Sequence, residues 1–237
     1  MLNPNLTRLI DSRNDKLWKE ITSKYEVIIH PSPNLEYSCN AKGETVTFYV
    51  PLSNYCMGSF THELLHIYIR LKGVYMGPCL SRRFNGGAFL PKVFTPQLVE
   101  HVGNCLDHIK MLPLYLDMGF PREKFLLDYH EHKCTIQELN DIRTYYKYSA
   151  NYYSQAVEVF IGKFLAMRAD PNNGFNYESS LAELKLIDGE LYRILDDLVI
   201  SWQNYDLDSD DIFYTYRDIV DKLYDELQQW RADKVII

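Results

Sequence analysis

The stretch Thr61-His62-Glu63-Leu64-Leu65-His66-Ile67 puts two imidazoles and a carboxylate within five positions. On a helix, His62 and His66 project from one face, close enough to share a small cation. Glu63 sits one helical step round, where it can hold a water that the cation activates. The flanking residues Phe60, Leu64, Ile67 and Leu71 form an apolar stripe that Leu65 and Ile69 widen, so the helix is expected to be central and buried. A histidine buried there must be hydrogen-bonded or coordinated, because an unsatisfied polar group costs about 1–3 kcal/mol.

A second polar patch lies in residues 97–118, which read as a helix despite Gly103 and Pro113. Glu100, Asn104 and His108 follow one another at steps of four, and His101 lies one helical repeat before His108. A helix of this kind facing the first is where a third ligand is expected.

Elements that could position these groups are legible on both sides. The β-branched run Glu26 to His30, ended by Pro31, and Thr45 to Val50, stopped by Pro51, read as two strands either side of a turn at residues 40–44. The metal helix is expected to start between Ser53 and Gly58 and to end at Leu71 or Lys72, with Gly73 as its stop. Gly73 to Pro96 shows no period and reads as a long loop, either a flap over the cleft or an irregular surface excursion. Thr135-Ile136-Gln137-Glu138 has the capping-box pattern and opens a long helix toward Arg168. Ser180 to Glu183 opens another reaching about Tyr205, and Asp208 to Asp211 opens the last. The fold class is therefore α+β and mainly helical. A small antiparallel sheet and an active-site helix fill residues 1–133, and a Tyr-rich helical lobe fills residues 134–237.

Other polar groups read as ordinary surface. His130 and His132, two apart, do not share a helix face, and His30 ends a strand. The acidic run Asp206, Asp208, Asp210 and Asp211 lacks the turn glycine of a calcium loop and has Arg217 at the twelfth position, so it reads as a helix cap.

The composition narrows the classes further. With 237 residues, 46% hydrophobic and 24% charged, the chain is globular. A net charge of −7 argues against a nucleic-acid binder, which needs a basic face. The five cysteines form no CxxC and read as free thiols in a reducing compartment. No signal peptide and no membrane-length apolar run is evident, so a cytoplasmic protein is expected.

Through His62-Glu63-Leu64-Leu65-His66 the chain resembles the zincin metallopeptidases. The resemblance implies a zincin-like core, with Zn2+ held by His62, His66 and a third protein ligand. It also implies a water in the open position and Glu63 as general base for cleavage of a protein or peptide substrate. Ile69 and Lys72 stand where the extended metzincin pattern needs a glycine and a third histidine, and the aspzincin GTxxD signature is absent. The third ligand is expected to be His108, ahead of Glu100 and Asp107, with Asn104 orienting it. His101, Tyr75 and Tyr115 are candidates for oxyanion stabilisation. Two other readings stand beside this one: a non-enzymatic zincin-like domain whose helical lobe binds a protein partner, and a zinc hydrolase of small molecules.

Overall fold

The computed structural model describes residues 6–34, 36–85 and 93–237. These form nine α-helices and two small three-stranded sheets. The chain divides into two compact units, Met1–Val74 with Lys110–His130, and Tyr75–Ile109 with Glu131–Ile237.

The first unit is built on helix α1 (Asp15–Thr22), strands β1 (Glu26–Pro31), β2 (Ser38–Lys42) and β3 (Thr45–Val50), and helix α2 (Met57–Leu71). Leu17 and Ile21 turn the apolar face of α1 inward, where it packs on α2. Strand β3 is the central strand because its inward residues Val46, Phe48 and Val50 are the most deeply buried of the sheet. The Phe48 ring meets Phe60 of α2 at 5.3 Å between centroids.

The sheet is mixed, not antiparallel as the sequence suggests. Its order is β1-β3-β2, with β1 parallel and β2 antiparallel to β3. The residues Ser38-Cys39-Asn40-Ala41-Lys42 have weak strand propensity, so half of β2 reads as turn. The turn itself is shorter, with Gly43 at φ +60°. Pairing with β3 outweighs the local preference.

Every residue of α2 is buried or half-buried. The helix ends where Gly73, at φ +77°, gives its N–H to the Arg70 carbonyl.

The second unit holds α3 (Met76–Phe84), the first part of α4 (Pro96–Asp117), and α5 (Ile136–Tyr145), α6 (Ser154–Ala169), α7 (Glu178–Ile187), α8 (Gly189–Asn204) and α9 (Tyr216–Arg231). Helix α4 is continuous from residues counted with the second unit into residues counted with the first. Part of the expected loop from Gly73 to Pro96 is thus helical, with Met76, Leu80 and Phe84 burying one face of α3. Residues 86–92 of that stretch, where a flap was one reading, lie outside the described residues. Gly103 of α4 approaches α3 so closely that a Cβ there would stand 2.9 Å from the Gly77 Cα.

Two long helices expected from the sequence are broken. Between α5 and α6 the chain forms a short hairpin, β4 (Lys147–Tyr148) and β5 (Asn151–Tyr152), with Ser149 at φ +57° and β6 (Val235–Ile236) added in parallel. Between α7 and α8 stands Asp188. Its carboxylate accepts from the Leu191 N–H at 2.8 Å, the Tyr146 hydroxyl at 2.9 Å and the Trp230 indole at 3.0 Å. One side chain thereby caps α8 and binds α5 and α9 to it. The last helix is capped by Thr215 and Asp218 rather than by the acidic run before it.

Among the described residues no helix is long and apolar enough to cross a membrane. Asp188→Ala leaves a buried phenol and indole without their acceptor and is expected to cost about 2–3 kcal/mol. A thermal melt checks this through a fall in midpoint of several degrees.

Candidate metal centre

His62, Glu63 and His66 lie in the middle of α2, and their placement follows from what anchors the helix. The Thr61 hydroxyl, fully buried, donates to the Met57 carbonyl at 2.7 Å. It accepts from the Asn14 amide at 2.9 Å, and the same amide nitrogen reaches the Leu9 carbonyl at 2.9 Å. The Asn14 carbonyl oxygen in turn accepts from the Asp11 N–H at 2.9 Å. A polar residue with no exposed surface is thus satisfied on both sides, and it pins the helix one residue before the first histidine.

Near the start of α2 the packing is equally tight. A Cβ on Gly58 would stand 2.5 Å from the Tyr115 hydroxyl and 3.0 Å from the Lys124 Cβ. Phe125 bridges from Tyr115, at 5.0 Å between rings, to the edge of His62, at 4.7 Å.

The two imidazoles stand with their Nε2 atoms 3.2 Å apart. Two nitrogens on a tetrahedral zinc, each at about 2.0–2.1 Å, are separated by about 3.3 Å. The pair is therefore spaced as two corners of a coordination tetrahedron before any ion is considered. His108 supplies a third nitrogen, and one ligand atom from each of His62, His66 and His108 lies within 4.8 Å of the other two. His62 and His108 are buried and His66 is half-buried. Three imidazole nitrogens suit zinc and its borderline neighbours better than hard cations that demand oxygen.

His108 is held by its own helix. Trp202 of α8, fully buried, donates its indole N–H to the Leu106 carbonyl at 2.7 Å. The lesser candidates do not join the cluster. Glu100 and Asn104 are exposed, because each step of four residues turns the helix by a further 40° or so away from the His108 face. Asp107 is half-buried and outside the group of three. His101 turns its Nε2 to the Gly162 carbonyl at 3.1 Å, Tyr75 is largely exposed, and the Tyr115 hydroxyl lies against Gly58.

Glu63 is half-buried beside β2. Burial pushes its carboxyl above the ordinary range, while His66 and two hydrogen bonds from Cys39 oppose that rise. The Asn14–Thr61 link is not signalled in the sequence, since it joins residues far apart in the chain. Elsewhere, His130 and His132 are exposed, as their spacing suggests.

No family model matches the chain, and no curated protein or solved structure matches it either.

Two outcomes are expected. Asn14→Ala leaves the Leu9 carbonyl and Thr61 hydroxyl short of a donor and should cost about 2–3 kcal/mol, read as a lower melting temperature. In a zinc titration followed by calorimetry, His108→Ala should lose more than the roughly 10–100-fold in affinity that removal of an outer partner costs, and Glu100→Ala should lose none.

Proposed function

We propose that this chain is a zinc-dependent peptidase of the zincin type, with His62, His66 and His108 as the zinc ligands and Glu63 as general base. The observation that carries the reading is the convergence of His108, from a separate helix, on a histidine pair already spaced for a tetrahedral ion. A four-coordinate ion held by these three histidines would keep one position for water or substrate, as catalytic rather than closed structural sites do. When bound there, zinc supplies Lewis acidity toward a substrate carbonyl and lowers the pKa of a coordinated water.

The chain's own groups do the rest. Glu63 follows directly on a ligand, and in this reading its carboxylate would border the open position. It takes the proton of the attacking water and delivers it to the leaving amine. Its raised proton affinity, a consequence of burial, suits a group that must hold that proton between the two transfers. The helix carrying the ligands is packed on all sides, so the ligand geometry is fixed before substrate arrives.

For substrate, the reading favours an extended peptide. Among the described residues β2 is an outer strand of its sheet and packs beside α2, and backbone hydrogen bonds to such an edge select a chain over a compact small molecule. Five cysteines, none in a disulfide, fit a cytoplasmic setting for this activity.

The test uses zinc-loaded protein and a mixture of unstructured peptides, with products read by mass spectrometry. Glu63→Gln should lower hydrolysis by about 10²–10⁴-fold while the zinc content stays at one per chain. Undiminished turnover in that variant would remove Glu63 from its role, and an inactive wild type holding full zinc would remove the peptidase reading.

A further inference from the structure

Between α8 and α9 the chain holds two large apolar side chains almost fully in solvent. Ile212 is 81% exposed and Phe213 88%, and Tyr214 beside them is 47% exposed. Single exposed apolar residues are ordinary, and Ile136 and Leu186 stand alone in that way. Three in a row are not, and this loop is held in shape by its own hydrogen bonds. The Asp211 carboxylate accepts from the Phe213 N–H at 2.8 Å, the Ser209 hydroxyl from the Asp211 N–H at 3.2 Å, and the Asp206 carboxylate from the Asp208 N–H at 2.9 Å. Tyr214 lies 6.5 Å from Tyr205, whose ring stacks on the buried Trp202 at 5.6 Å. The loop is thus tied to α8 through its tyrosines while Ile212 and Phe213 stay in water.

Charge names the occupant. Asp206, Asp208, Asp210 and Asp211 precede the apolar residues, all four are exposed, and no basic residue lies in 205–215. We propose that residues 206–214 are a docking site for a protein segment in which lysine or arginine flanks an aliphatic or aromatic residue. The partner's apolar side chain covers Ile212 and Phe213, which act as the anchors of the interface, and its cations meet the carboxylates beside them. Those carboxylates keep their charge and their capacity to accept, because a loop N–H satisfies one lone pair of several. The same charges turn away other occupants. A second copy docking loop to loop would set four carboxylates against four, on a chain whose net charge is already −7. An anionic lipid surface is repelled for the same reason. The site lies wholly within the second unit and does not depend on the peptidase reading.

The test is a selection from a phage-displayed library of random peptides on the immobilised full chain, with Phe213→Ala protein as the counter-selection. Enriched peptides are then titrated by fluorescence anisotropy. They should carry lysine or arginine next to an apolar residue. Phe213→Ala should weaken the best of them by about 30-fold, as the loss of an interface anchor does. Asp210→Asn with Asp211→Asn should weaken binding and flatten its salt dependence. Asparagine keeps an acceptor for the Phe213 N–H, so the loop retains its shape in that variant. Melting temperatures should stay in place, since all three side chains are exposed. No enrichment over the Phe213→Ala protein overturns the proposal. So do enriched peptides without basic residues, and so does a dimer in sedimentation that Phe213→Ala dissolves.

Discussion

Two imidazole nitrogens 3.2 Å apart, inside a helix that exposes no residue, are the constraint on which the rest of this structure turns. In that position each ring nitrogen needs a proton, a partner or an ion. A shared proton satisfies one pair of nitrogens; a cation satisfies the same pair and recruits His108 as well. The surroundings hold the pair in place. Asn14 and Thr61 fix the helix on one side, the Phe125 ring closes over His62, and the Gly58–Tyr115 approach leaves no room for the helix to slide.

The site is built by elements that come from different parts of the chain. In the proposed site α2 would bring two ligands and the base, and α4, whose Leu106 carbonyl accepts from Trp202, would bring the third ligand. The Asn14–Thr61 and Trp202–Leu106 supports are hydrogen bonds between buried groups, which is how polar groups are held in an apolar interior. Strand β2 pairs with β3 and packs beside α2.

Much of this was legible in the sequence because it depends on local spacing. The histidine pair, the central helix with its glycine stop, the α4 span and the Thr135 capping box all follow from residues close together, and local rules reach that far. His108 emerged from helical periodicity and the preference of zinc for nitrogen. The features that escaped are long-range. Strand β2 forms against its own propensity because β3 offers it partners, and the parallel pairing of β1 is a property of the crossover rather than of either strand. The breaks at Ser149 and Asp188 stand inside good helical patterns. They are made by contacts distant in the chain, with β6 in one case and with Tyr146 and Trp230 in the other.

The central claim, three histidines on one ion, is reached most directly by X-ray absorption at the zinc edge of the metal-loaded protein. Three imidazole nitrogens at about 2.0–2.1 Å, with one light fourth ligand, is the expected shell. A sulfur at about 2.3 Å, or fewer than three imidazoles, would contradict it.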